Sequence, residues 1–174
     1  LRQILDEAAA APAGDPELAK LGGFYGACMD EAAAERAGAQ PLKPLLDEID
    51  GVKDAAGLMA MAGKLHRIGA PVLFEMIVEA DFKDPNIEIA HLFQGGLGMP
   101  DRDYYLKEEE ATRGLRQEYE AHAGRMLALL GEKPEDAARH ARQMLDFEKG
   151  LAEISWPREE ARQIRGTTNR FLSE

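Results

Sequence analysis

The sequence predicts a mainly α fold: a multi-helix lobe with one long antiparallel helix pair and one small β-hairpin. Three observations predict it. Leu, Met, Ala and aromatic residues recur at spacings of three and four over most of the chain. A single stretch, "PVLFEMIVEADFKDPNIEIAHLFQ", changes to period two with β-branched and aromatic residues. After it, a Gly- and Pro-containing segment, "QGGLGMPDRDYY", separates the period-two stretch from two long helical runs. The length of 174 residues suits about one domain able to bury roughly two-thirds of its unfolded surface.

The opening "LRQILDEAAAA" consists of good helix formers and starts without an N-cap residue, as though in mid-helix. "PAGDP" supplies a turn, and Asp15 before Pro16 reads as an N-cap with proline at the first helical position. The next helix is expected to run to about Arg36, where Gly38 stops it. "QPLKPLLDEIDGVKD" is a connector with a short helical turn around Leu42 to Ile49. Asp54 caps a helix whose apolar positions are Leu58, Met61, Leu65 and Ile68, ended by Gly69.

The hairpin strands are expected at about 73–80 and 86–93, with "DFKDPN" as turn chemistry between them. Two strands alone are marginal, so the pair should lie against helices or extend a sheet. Gly95, Gly96 and Gly98 can take positive φ in the connector that follows, and Pro100 stiffens its exit. Asp101, Arg102 and Asp103 are expected to form a local charged cluster, with Tyr104 and Tyr105 packed on neighbouring helices. A helix from about Lys107 to Leu130 presents Leu115, Tyr119, Met126, Leu129 and Leu130; a second, from Pro134 to Ile154, presents Ala137, Ala141, Met144, Leu145, Leu151 and Ile154. Gly131 and Pro134 separate them, which predicts antiparallel packing.

The charge of −11, from 32 acidic and 21 basic residues, repels phosphate backbones and anionic membrane surfaces, so no nucleic-acid partner and no membrane contact is expected. No apolar run approaches the roughly 20 residues that span a bilayer. Cys28 is the single cysteine; it reads as a buried small hydrophobe, with a bridge outside these residues or a reactive thiol as alternatives.

Catalytic chemistry is hard to place. His66, His91, His122 and His140 make no H-E-x-x-H. Glu88 and His91 form a lone E-x-x-H in a strand, where a partly buried, hydrogen-bonded histidine is the better reading. Glu118 with His122, and Asp136 with His140, have the spacing of helix-surface pairs. Ser155 and Ser173 lie outside G-x-S-x-G, and the three glycines lack the lysine and spacing of a phosphate loop. No catalytic and no metal-ligating residue is assigned, and a metalloenzyme built on the four histidines is the least favoured reading.

The segments "HLFQGGLGMPDRDYYLK" and "FYGACMDEAAAERAGAQPLKPLLDEID" closely resemble the N-terminal region of the neprilysin and endothelin-converting-enzyme family of zinc metallopeptidases, bacterial members included. That family's pattern resembles Y-x-x-C-M-D/N-E, G-x-x-P-L and G-L-G-L-P-x-R-D-Y-Y. The chain keeps Tyr25, Cys28, Met29, Glu31, Gly38, Pro41, Leu42, Leu97, Gly98, Pro100, Arg102, Asp103, Tyr104 and Tyr105, and departs at Met99, where leucine is usual. "MLDFEKGLAEISWPREEARQ" is also similar to a family helix, extending the resemblance from about Leu1 to Asn169.

The resemblance implies a two-lobed parent enzyme: a thermolysin-like zinc lobe, and a helical lobe that roofs a chamber admitting peptides of limited size. The family's H-E-x-x-H, its downstream glutamate ligand and its Asn-Ala pair have no matching positions here, and its substrate-binding arginine belongs upstream of Leu1. Zinc therefore belongs to the parent, with none bound by this chain. The implied partners are the C-terminal catalytic lobe and peptide substrates. The implied location is extracytoplasmic, either periplasmic or as a membrane-anchored ectodomain, where Cys28 can bridge to a later cysteine. The uncapped start and the ending "GTTNRFLSE" carry the expectation that 1–174 is part of that helical lobe. The competing reading is an autonomous helical binding module of shared ancestry without peptidase activity.

Overall fold

The computed structural model describes residues 1–10 and 14–162. The "GTTNRFLSE" segment and part of the expected "PAGDP" turn lie outside the described residues. Two compact units are present, Leu1–Asp50 and a second beginning at Gly51.

The first unit contains α1 (Arg2–Ala10), α2 (Pro16–Met29), α3 (Glu31–Ala37) and α4 (Lys43–Asp50), with a 3₁₀ turn at Gln40–Leu42. Asp15 caps α2 by accepting from the Glu17 N–H at 2.9 Å, and Pro16 fills its first turn, as its sequence predicts. The expected continuous helix to Arg36 is instead two helices. Asp30 leaves helical geometry (φ −83°, ψ 73°) and its carboxylate accepts from the Ala33 N–H at 2.9 Å, so it ends α2 and caps α3 at once. Gly38 then stops α3 with φ +51°. Helices α1 and α2 meet through small residues: a Cβ on Gly22 would stand 2.5 Å from the Ala8 carbonyl carbon and 2.9 Å from the Ala9 nitrogen. Tyr25 adds a hydroxyl hydrogen bond to Asp6 at 3.0 Å. Cys28 is exposed, not the buried hydrophobe expected, because it lies on a face of α2 that this unit leaves uncovered.

In the second unit Asp54 caps α5 (Ala55–Arg67) by accepting from the Gly57 N–H at 2.7 Å, and Gly69 follows with φ +82°. Met61 is buried as expected, but Leu58 and Ile68 are exposed and Ala62 is buried in their stead.

The hairpin is β1 (Phe74–Ala80) antiparallel to β2 (Glu88–Gln94), in register from Phe74 opposite Gln94 to Ala80 opposite Glu88. The second strand starts later than expected because Asn86 and Ile87 belong to the turn. Asp81 Oδ1 accepts from Lys83 N–H, Asp84 Oδ1 from Asn86 N–H, and Asp81 N–H reaches the Ile87 carbonyl. The hairpin meets α5 at its base, where the His66 ring stands edge-on against Phe74 at 4.9 Å. His91 is buried between Phe82 and Phe93, at ring separations of 4.8 and 6.0 Å, but it is not fully satisfied: its Nε2 has no hydrogen-bond partner among the described residues.

Four more helices follow: α6 (Asp103–Leu106), α7 (Glu110–Leu129), α8 (Pro134–Ile154) and α9 (Arg158–Ala161). The turn at Gly131 (φ +101°) makes α7 and α8 an antiparallel pair, with Tyr119, Glu120 and Gly124 facing Glu148, Arg142 and Ala141. The buried seam is narrower than the apolar pattern predicts. Ala123, Ala137 and Ala141 fill it and a Cβ added to Gly124 would lie 3.9 Å from the Ala141 Cβ, whereas Leu115, Met126, Leu129, Leu130 and Ile154 are exposed. Small side chains let the two backbones close up, which directs the larger ones outward. The expected Asp136–His140 pair is absent; Asp136 takes Arg139 at 2.7 Å and His140 Nδ1 meets Glu132 at 2.8 Å. No described helix is long and apolar enough to cross a membrane.

Candidate functional site

The segment from Gln94 to Tyr105 is where the hairpin, α6, α7 and α8 converge. Gln94 ends β2 with its side-chain amide against the backbone of Trp156: Nε2 donates to the Trp156 carbonyl at 3.1 Å and Oε1 accepts from the Trp156 N–H at 2.9 Å. A side-chain amide thus stands in for a neighbouring strand, and the chain leaving α8 is held at the base of the hairpin.

Of the three glycines, only Gly96 has positive φ, at +80°; Gly95 and Gly98 serve close approach instead. A Cβ on Gly96 would lie 2.8 Å from the Cα of Leu73. Leu73 itself has φ +64°, in a three-residue turn closed by the Phe74 N–H on the Val72 carbonyl at 2.7 Å. His66 Nε2 also meets that carbonyl at 3.0 Å, and its ring packs edge-on against Phe74. Two tight backbone turns are therefore pressed together, and glycine is needed on one side of the contact.

Beyond Gly98 the chain enters a small core of Met99, Tyr105 and Ala152, surrounded by Leu97, Tyr104, Leu106, Tyr119 and Leu145. Tyr105 is fully buried. Its hydroxyl accepts from the Met99 N–H at 2.9 Å and donates to Glu148 Oε2 at 2.5 Å, while the Tyr119 hydroxyl donates to Oε1 of the same carboxylate at 3.0 Å. Both oxygens of a buried carboxylate thus receive a phenol. Such a network is stable only when every member is paired, and here every one is.

The expected Asp101–Arg102–Asp103 cluster does not form as a mutual triplet. Asp101 pairs outward with Arg158 at 2.6 Å, Arg102 Nε donates to the Ala152 carbonyl at 3.1 Å near the end of α8, and Asp103 pairs with Lys107 at 2.8 Å. Arg116 closes α6 by donating to the carbonyls of Tyr104 and Lys107. Asp101 and Arg102 thus fasten α9 and α8 to the connector, whereas Asp103 pairs along α6 itself and gives its N–H to Asp101 Oδ1 at 2.9 Å.

Tyr25, Cys28, Glu31 and Pro41 lie in the first unit, and Leu97, Gly98, Pro100, Arg102, Asp103, Tyr104 and Tyr105 in the second. The structure adds Glu148, which residue patterns passed over. Its signal was present: an acidic residue on the inward side of α8, four residues after Met144 and three before Leu151, interrupts an otherwise apolar stripe.

Burial raises the pKa of Tyr105 far above the ordinary phenol value, with its hydrogen bond to Glu148 adding to the rise. Burial, with the Glu148 charge next, pushes Tyr119 up to about 12. Both folded values exceed the unfolded value of 10.0, so the associated stability is present below pH 10.0 and is lost as pH rises through the folded values. Helical circular dichroism should hold to pH 10.0 and decline toward about 12, and a Tyr105→Phe/Tyr119→Phe variant should lose this added decline. An alkaline unfolding curve identical in the two proteins would contradict it.

No group of three or more His, Cys, Asp or Glu side chains among the described residues is arranged to hold a metal ion.

The family model described as Peptidase family M13 matches residues 1–174, and its match is to that family's N-terminal region. The chain belongs to peptidase family M13. Endothelin-converting enzyme 1 of Mus musculus is 33% identical over 170 residues, covering 93% of this chain and 22% of that protein. Neprilysin-3 of Drosophila melanogaster is 28% identical over 172 residues, again 93% of this chain and 22% of that protein. Among solved structures, the Mycobacterium tuberculosis zinc metalloprotease ZMP1 in complex with inhibitor matches with a TM-score of 0.80 at 34% identity, covering 89% of this chain and 24% of that one. The same metalloprotease in its open state matches at 0.82 and 32%, covering 94% and 26%. This M13 chain spans about a fifth to a quarter of the length of these relatives.

Proposed function

We propose that this M13 segment is the non-catalytic helical part of a neprilysin-like zinc metalloendopeptidase. In this reading it roofs the chamber in which peptides of limited size are cleaved. Hydrolysis by zinc-activated water then takes place on a catalytic lobe encoded C-terminal to it. The observation that carries the reading is the family match over all 174 residues, supported by the likeness to the Mycobacterium tuberculosis zinc metalloprotease. The parent's substrates are peptides, its metal is zinc, and its location is extracytoplasmic. The motif residues Leu97, Gly98, Pro100, Arg102, Asp103, Tyr104 and Tyr105 act as fasteners that keep the lobe's shape, with Tyr25, Cys28, Glu31 and Pro41 shaping the first unit.

The coding frame beyond Glu174 is expected to contain H-E-x-x-H and a later E-x-x-x-D. The protein it encodes should cleave short peptides, spare folded proteins and lose activity to a zinc chelator. A frame without those motifs would instead favour the autonomous binding module.

A further inference from the structure

The chain leaving α8 is fastened at two points to the two ends of the glycine-rich connector. At one end the Gln94 side-chain amide takes both backbone groups of Trp156, at 3.1 and 2.9 Å. At the other, Arg158 pairs with Asp101 Oδ2 at 2.6 Å. Ser155 (ψ 146°) and Pro157 (ψ 151°) are extended, so the stretch between the two points is short and straight. Gln94 and Asp101 are seven residues apart in the chain and Trp156 and Arg158 only two, so the stretch holds the ends of the connector together.

Both fastenings are polar and open to water. The Gln94–Trp156 bonds are exposed, Trp156 itself is 45% exposed, and the Arg158 and Asp101 side chains are 56% and 25% exposed. Helix α9 beyond them is a single turn with no side-chain cap and no buried residue. The other side of the connector, by contrast, ends in the buried Met99–Tyr105–Glu148 network. Exposed polar bonds give way to water at little net cost, whereas a buried network opens only with the unit as a whole. Pro157 stiffens the link between the two points, so release of one loosens the other.

We propose that Trp156–Arg158 is a two-point strap that opens as a unit, ahead of the Tyr105–Glu148 core, with ionic strength as its trigger. The trigger follows from the chemistry of the two points. Arg158–Asp101 is an exposed ion pair that salt screens, whereas Gln94 and the Trp156 backbone are neutral partners that it leaves alone. Screening frees the Arg158 end, and Trp156 is then held by one side chain. Closed, the strap fixes the direction in which the chain leaves α8; open, it releases that direction while the core stays intact.

Amide hydrogen exchange read by NMR tests this. The Trp156 N–H, bonded to Gln94, reports the strap, and the Met99 N–H, bonded to the buried Tyr105 hydroxyl, reports the core. Going from about 0.02 M to about 1 M NaCl should speed Trp156 exchange about two- to fivefold and leave Met99 unchanged. Asp101→Asn should bring Trp156 to its high-salt rate already at low salt and abolish the salt dependence, although Asp101 does not touch Trp156. In a Gln94→Ala background, Asp101→Asn should have no further effect on Trp156. If Trp156 exchanges at the Met99 rate at both salt concentrations, the strap does not open ahead of the core and the proposal is overturned. It is equally overturned if Trp156 opens first but Asp101→Asn leaves its rate and salt dependence as they were, since the two points then act independently.

Discussion

Glu148→Ala is expected to destabilise the protein by about 3–5 kcal/mol. The carboxylate receives the hydroxyls of Tyr105 at 2.5 Å and Tyr119 at 3.0 Å, and Tyr105 in turn accepts from the Met99 N–H. Removing it leaves the fully buried Tyr105 hydroxyl without an acceptor in a region that water does not reach. Truncation also opens a void against Met99 and Ala152. Glu148→Gln should cost less, about 1–2 kcal/mol, because the amide oxygen still accepts from one phenol while the NH₂ faces the other, whose own O–H then loses its acceptor. Urea unfolding midpoints of the three proteins check the order. If Glu148→Ala unfolded at the wild-type midpoint, the carboxylate would not be what joins α8 to the connector.

The residues that announce themselves in the sequence are those whose role is local. Asp54 and Gly69 bound α5, Pro134 starts α8, and period-two alternation marks the hairpin, because capping, φ restriction and strand geometry act over a few residues. The break at Asp30 was less legible. An aspartate amid alanines fits a helix surface, and only its bond to the Ala33 N–H shows that it caps. On α8 the seam runs where Ala137 and Ala141 place it in the sequence, but on α7 the apolar pattern points to Leu115, Met126, Leu129 and Leu130, which are exposed, because Ala123 and Gly124 contribute little to apolar periodicity. Arg102 and Asp101 were grouped by sequence adjacency, whereas their partners, Ala152 and Arg158, come from about fifty residues downstream. Family membership was legible from the motifs around Cys28 and Pro100. What those motifs fasten became clear only when Glu148 and Trp156 were brought beside them.

Gly98→Ala should cost about 2–3 kcal/mol, and the reason lies across the core rather than in the glycine's own backbone. Gly98 does not need positive φ. An added Cβ would stand 2.8 Å from Tyr119 Cζ, closer still to the hydroxyl oxygen, and 3.3 Å from Glu148 Oε1. The far end of a free side chain would move aside at little cost. Tyr119 is not free, because its hydroxyl is bonded to Glu148 and its displacement uncovers a partner that Tyr105 also uses. The penalty should therefore depend on that hydroxyl. In a Tyr119→Phe background, which removes the oxygen in conflict and itself costs about 1 kcal/mol, Gly98→Ala should cost about 1 kcal/mol less than in the wild type. A double-mutant cycle on urea midpoints measures this coupling. Strict additivity would mean that the connector yields by moving its backbone, and that the Tyr119–Glu148 bond does not hold it in place.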